Sequence, residues 1–295
     1  MPPRGYDLLA LDLDGTLLNE RGKISAANLR AIADARRAGL QIVVSTGRGY
    51  AEAMHSLPVD CLDGAIICAG GAMTVDMISG RTLHRSTMPE SLVERVAQTL
   101  NEATGHLVLL LKDHDTTGLD YLLVGRGRID PASEWWFNQI PVRLSTVERP
   151  AEDPHPRETV RVAVVTTVRE MSTLWRVMNE RFQNETFVHH FPIISGAADG
   201  RVEKSGEIHL LEVFQPETNK WSALAELAAE REIPVERVAA IGDEVNDLAM
   251  LRGAGLGIAM GNAPDSVQDA AQQVTETNVN DGVALAIERI LEGSW

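Results

Sequence analysis

Five short stretches of this 295-residue chain are almost wholly apolar: Leu8–Leu13, Leu40–Val44, Ala65–Cys68, Val238–Ile241 and Leu256–Met260. A strand with one face in water alternates apolar and polar residues. A short run that is apolar on both faces fits a strand covered on both sides, the condition of a central strand in a parallel sheet flanked by helices. Helical patterns lie between the runs. Ser25–Ala38 has Ser25 as its N-cap and Gly39 where a C-terminal turn is expected; Lys220–Arg231 and Asp247–Leu251 also read as helical. Pro264 opens a helix at a position where its missing N–H costs nothing, and Gly282–Leu291 reads as the last helix. This alternation predicts an α/β fold, doubly wound around a mostly parallel sheet.

The middle of the chain breaks the pattern. Strand-like pieces at Leu107–Leu111, Leu119–Val124, Val160–Thr166 and Ile208–Phe214 surround helical stretches at Glu90–Asn101 and Arg169–Arg181, and the Pro- and charge-rich stretch Val147–Glu158 reads as an exposed loop. We therefore expect an α+β domain at 85–213 inserted into an α/β core made of 1–84 and 214–295. A chain of this length has enough residues for two cores.

Charge limits the partners. Lys and Arg number 27 and Asp and Glu 42, for a net charge of −15. Such a chain repels phosphate backbones and anionic membranes, so neither a nucleic-acid nor a membrane partner is expected, and a phosphorylated metabolite needs a local cation. Cys61 and Cys68 form no disulfide framework and read as small buried residues in a reducing compartment. Met1–Tyr6 lacks the apolar core of a signal peptide, and no apolar run approaches the roughly 18 residues of a membrane span, so a cytoplasmic location is expected.

Four motifs carry candidate chemistry. Asp12-Leu13-Asp14-Gly15-Thr16 ends the first run. Side chains two apart on a strand share a side, so the two carboxylates converge, and they repel unless a cation sits between them. The bland alternative is a pair of aspartates capping a loop. Ser45-Thr46-Gly47-Arg48 closes the second run, and its hydroxyl and backbone N–H groups suit an anion, although a Thr-Gly pair here is more often a cap and turn. Lys220 begins a helix, a poor place for a cation by the macrodipole rule, and taken alone it reads as a solvated lysine. Gly242-Asp243-Glu244-Val245-Asn246-Asp247 follows the fourth run. Asp243 and Asp247 are four apart and share a side if a helix begins near Glu244; such carboxylates suit Mg²⁺, and a helix cap with a solvated Asp247 is the alternative.

The order of the four motifs says more than any one of them. Each lies on an α/β segment, and the insertion falls between the second and third. In this the chain resembles the haloacid-dehalogenase-like phosphatases, within them the Cof-type sugar-phosphatase group. Gly257-Ile258-Ala259-Met260-Gly261-Asn262-Ala263 and Asn280-Asp281-Gly282-Val283 resemble further elements of that group. One departure is Ala69-Gly70-Gly71-Ala72, where Gly70 stands in place of the group's Asn.

The resemblance implies a Mg²⁺-dependent phosphatase acting on a small phosphorylated metabolite. It assigns Asp12 as nucleophile and Asp14 as general acid/base. It places Thr46, Gly47, Lys220 and Asn246 on the phosphate, and Mg²⁺ on Asp12, the Asp14 backbone carbonyl and Asp243, with Asp247 in support. It makes 85–213 a cap that excludes water and contributes specificity. Phosphoryl transfer to a sugar hydroxyl, as in phosphomutases of the superfamily, and a non-catalytic binding role are the alternatives. The insertion has a net charge of −5, which disfavours nucleoside di- and triphosphates and leaves several monoesters open. The oligomeric state is not readable. Within the insertion, Trp135-Trp136 is expected to pack the core and His189-His190 to be a strand or loop pair. Asp113-His114-Asp115 is expected to be a solvated turn, and the insertion's best guess for a segment that contacts substrate.

Overall fold

The computed structural model describes residues 5–57, 64–196 and 202–295; Cys61 and Met1–Arg4 lie outside them. The chain runs through β1 (Leu8–Leu11), β2 (Gln41–Ser45), β3 (Ala65–Cys68), β4 (Met73–Asp76) and β5 (Thr82–Arg85). It then passes to β6 (Val108–Lys112), β7 (Tyr121–Val124), β8 (Leu144–Val147), β9 (Thr159–Thr167), β10 (Phe187–Gly196) and β11 (Val202–Phe214), and returns to β12 (Val238–Gly242), β13 (Leu256–Ala259) and β14 (Gln273–Val274). The first five and last three strands form one sheet in the order β14-β13-β12-β1-β2-β3-β4-β5; the other six form a second in the order β10-β11-β9-β6-β7-β8.

In the first sheet β14, β13, β12, β1, β2 and β3 are all parallel, and β4 turns back against β3. The apolar runs supply its centre: every residue of β1, β3, β12 and β13 is buried. Leu8, Ala10, Val43, Val238 and Ala240 pack against Ala223, Leu224 and Leu227 of the helix Lys220–Glu230 and against Met250 and Leu251. Leu9 and Leu11, which point the other way, are equally inaccessible. The helices Ala26–Arg37 and Gly282–Glu292 contact each other and bury Ile32, Ala35, Val283 and Ile287. Ser25 caps the first of these, its hydroxyl accepting from Asn28 N at 3.0 Å.

Register places the site. Leu11 stands level with Ile241 on one side and Val44 on the other. The chain therefore leaves β12, β1 and β2 at one edge of the sheet, where Asp243, Asp12 and Thr46 follow. This is the carboxyl edge, where ligands bind in open α/β sheets.

The second sheet is largely antiparallel, with β8 parallel to β7. One face packs Val108, Leu110, Val162, Val164 and Leu211 against Leu92, Val96, Leu174 and Met178 of the helices Glu90–Thr104 and Val168–Phe182.

The chain divides into two compact units, 1–48, 56–84 and 219–295 in the first, 49–55 and 85–218 in the second. Residues 49–55 fall outside the expected insertion of 85–213, yet group with it. The helix Tyr50–Ser56 is the reason: Tyr50 stacks on His114 at 4.4 Å, and the buried Glu52 accepts from Trp136 Nε1 at 2.8 Å.

Three local expectations are corrected. Asp113 and His114 are buried rather than solvated, because Asp113 caps a short helix, His114–Thr117, and pairs with Arg85 at 2.8 Å. Asp153, in the stretch expected to be an exposed loop, is buried because it meets the ammonium of the fully buried Lys112. Trp135 and Trp136 are half-buried on the helix Pro131–Gln139, which puts the Trp136 indole within reach of Glu52.

Candidate active site

Asp12 is the first residue past β1 and is almost fully buried. Its Oδ1 accepts from Lys220 Nζ at 2.5 Å, and the same ammonium donates to Asp247 Oδ1 at 2.6 Å. Lys220 is 1% exposed, so it is no surface lysine. Its helix start comes close because Gly71, at φ +105°, has no side chain; a Cβ there would lie 2.1 Å from Asn219 O. Asn219 caps that helix, accepting from the N–H groups of Trp221 and Ser222 at 3.0 Å each. Two carboxylates answer the cation that the helix dipole disfavours. Burial alone would draw the Lys220 proton off, but Asp12 and Asp247 outweigh it and hold the ammonium above the ordinary lysine range.

Asp247 is wholly buried and doubly engaged. Its Oδ2 accepts from the backbone N–H groups of Asp243 and Glu244, both at 3.0 Å. It thus organises the loop after β12 as well as pairing Lys220. Gly242 leaves room for it, since a Cβ there would lie 2.5 Å from the Asp247 carboxyl carbon. Asp243 accepts from Thr16 Oγ1 at 2.9 Å and from Asn262 Nδ2 at 3.3 Å. Gly15 is required beside it: φ is +81°, and a Cβ would lie 2.2 Å from Asp243 Oδ2. Thr16 and Asn262 belong to motifs visible in the sequence, but nothing there indicated that both serve Asp243.

Asp12, Asp243 and Asp247 each offer an oxygen within 4.8 Å of the others. Burial, then the Asp247 charge, raises Asp12 well above the usual carboxylate range against the pull of Lys220. The same two causes, in the same order, push Asp243 up to about 6. One ammonium therefore leaves the cluster short of positive charge. The donors are hard oxygens, and the buried Asn246 Oδ1 beside them in sequence has no hydrogen-bond partner. This donor set fits Mg²⁺, which takes carboxylate and carbonyl oxygens and keeps waters.

The phosphate-side candidates lie on neighbouring backbone. Thr46 is buried; its N–H donates to Ile67 O at 2.8 Å, and its hydroxyl accepts from Arg48 N at 3.1 Å. A Cβ on Gly47 would be 3.8 Å from Asn246 Nδ2, so the loops after β2 and β12 meet here. Gly70, in the turn after β3 at φ +63°, donates its N–H to Thr46 O at 3.0 Å. Asp14 is not brought into the carboxylate cluster. Both of its oxygens are held by Arg48, at 2.7 and 2.6 Å, a residue to which the sequence alone attached no role.

The family model for haloacid dehalogenase-like hydrolases matches residues 9–287. Among curated proteins, phosphatase YwpJ of Bacillus subtilis is 29% identical over 96% of this chain and 99% of its own. Pyridoxal phosphate phosphatase YbhA of Escherichia coli is 26% identical over 94% of this chain and 96% of its own. Among solved structures, a haloacid dehalogenase-like hydrolase from Bacteroides thetaiotaomicron superposes with a TM-score of 0.76 at 25% identity, covering 97% of this chain and 99% of that one.

Proposed function

Because the chain belongs to the haloacid dehalogenase-like hydrolase family and is a phosphatase of it, we propose that it hydrolyses a small phosphate monoester, a sugar phosphate or related metabolite, through an aspartyl-phosphate on Asp12 with Mg²⁺ as cofactor. The observation that carries this reading is Asp12 itself, buried at the carboxyl edge of the sheet and aimed by the Lys220 ammonium into a cluster of three carboxylates.

In this reading Asp12 and Asp243, with the Asp14 main-chain carbonyl, would hold Mg²⁺, and Asp247 would support them from behind. The bound ion supplies the positive charge that lets a phosphate dianion approach these carboxylates. Lys220 has three N–H donors, two of them spent on Asp12 and Asp247, which leaves one for a phosphate oxygen. The Thr46 hydroxyl, the Gly47 N–H and the Asn246 amide take the other oxygens. Asp12 attacks phosphorus as the ester bond breaks, and Asp14 gives its proton to the leaving oxygen. Asp14 then takes a proton from the water whose oxygen bonds to phosphorus as the Asp12–phosphorus link breaks. Phosphoryl transfer depends mainly on positioning and charge stabilisation, so these groups carry most of the rate. The second unit serves as the specificity cap.

A panel of phosphate monoesters, assayed for inorganic phosphate with Mg²⁺ and with excess chelator and no added acceptor, tests the proposal. Phosphate release that needs Mg²⁺ is expected for at least one ester. Release that continues undiminished in chelator, or none from any ester, would contradict it.

A further inference from the structure

Asp14 sits apart from the buried carboxylates, with both oxygens taken. Arg48 Nε donates to Asp14 Oδ2 at 2.7 Å and Nη2 donates to Oδ1 at 2.6 Å, while Nη1 donates to Ser56 Oγ at 2.8 Å. A planar guanidinium faces a planar carboxylate, a two-point geometry that fixes distance and orientation together and that a lysine cannot copy. Both ends are anchored. Arg48 N donates to Thr46 Oγ1 at the end of β2, and Ser56 holds the far side of the fork. The Arg48 side chain is 17% exposed and that of Asp14 50%, so the clamp sits at the mouth of the site rather than in its floor.

We propose that Arg48 is the positioning residue for Asp14: it parks the carboxylate between turnovers and aims it during them by releasing one oxygen and keeping the other. This rests on the phosphatase reading. Asp14 must bring one oxygen to the leaving oxygen as the phosphorus–oxygen bond breaks, handing over its proton. It must bring one to the attacking water as the Asp12–phosphorus bond breaks, accepting a proton. While the fork holds both oxygens it occupies one lone pair on each and fixes the carboxylate facing Arg48, so bringing an oxygen to the leaving group or the water requires one of the two bonds to be released. A single retained bond restricts a half-exposed side chain that would otherwise sample several rotamers, and loss of that restriction costs rate.

The proposal separates substrates by leaving group. An alkoxide leaves only with a proton; p-nitrophenolate leaves without one. The constant to compare is kcat/KM, which stops at formation of the aspartyl-phosphate and excludes the water step that all esters share. Arg48→Met should lower kcat/KM for an alkyl phosphate about tenfold or more, a fraction of what general acid catalysis supplies, and change p-nitrophenyl phosphate by less than about threefold. Arg48→Lys, with one contact in place of two, should fall between. Equal losses on both esters would show that Arg48 serves the shared phosphate or the fold, and no loss on either would show that it does not position Asp14; both overturn the proposal. Thermal unfolding of Arg48→Met, Asp14→Asn and the double variant tests the clamp without activity. Shifts that fail to add are expected for two ends of one contact, and additive shifts would overturn it. Wild-type protein inert on both esters would overturn the phosphatase reading, and the positioning role with it, while the thermal cycle still decided the clamp.

Discussion

At the scale of single residues, the site is a problem in charge. Three carboxylates crowd a buried volume around one ammonium, and Asp12 and Asp243 respond by holding protons more tightly than free aspartates do. The sign of the consequence follows from linkage. A carboxyl group raised in the folded state binds more protons there than in the unfolded chain, so its contribution is fully present at low pH and is lost as pH rises through the folded value. For Asp243 the window runs from 3.8 to about 6. The contribution of this site to the stability of the metal-free protein should therefore fall as pH rises across that window. Added Mg²⁺ should restore more stability at the upper end than at the lower, because metal ligands must be deprotonated. Melting curves with chelator and with Mg²⁺ at a series of pH values check this; an Mg²⁺ effect that shrank as pH rose would contradict it.

At the scale of elements, what could be read in advance depended on how far a residue's meaning lies from its neighbours. The central strands β1, β3, β12 and β13 were legible because burial on both faces writes itself as a local apolar run. Asp12 and Asp243 stood out through the motifs at the strand ends, whereas Lys220, at a helix start, gained a role only from the order of the motifs and the family resemblance. Arg48 did not stand out, because its partner is 34 residues away and an arginine opening a helix looks solvated. Asp153 was hidden for a similar reason. A Pro- and charge-rich stretch reads as exposed, yet its carboxylate accepts from Lys112, which also donates to Thr159 Oγ1 at 2.7 Å and His155 O at 3.1 Å. Those bonds tie the loop to β6 and β9, so the pair is structural. Lys112→Met would leave Asp153 buried without its cation and should cost about 3–5 kcal/mol. Replacing both residues by apolar ones of similar size should recover most of that, as seen by urea denaturation. A Lys112→Met loss well under about 1 kcal/mol would show that the loop opens to solvate Asp153.

At the scale of the whole molecule, the candidate site residues fall within one of the two compact units. Asp12, Asp14, Thr46, Gly47, Lys220, Asp243, Asn246 and Asp247 all belong to the first unit, and the second contributes none of them. A substitution in the second unit, such as Asp115→Ala, should therefore change the ratio of kcat/KM values among esters and leave p-nitrophenyl phosphate nearly unchanged. Lys220→Ala should depress every ester, because the phosphate is common to all. A matched panel on both variants checks the division, and the reverse pattern would refute it. Among the described residues no helix is long and apolar enough to cross a membrane, and the net charge of −15 opposes anionic polymers and surfaces.

The central claim is that the phosphoryl group passes through Asp12, and the most direct measurement is the mass of the Asp12-containing peptide from enzyme quenched in acid during turnover. The account predicts that this peptide gains one phosphoryl group in the wild-type protein, and that Asp12→Asn keeps its fold by circular dichroism, gains none and releases no phosphate. A phosphoryl group found on another residue, or undiminished turnover by a folded Asp12→Asn variant, would contradict it.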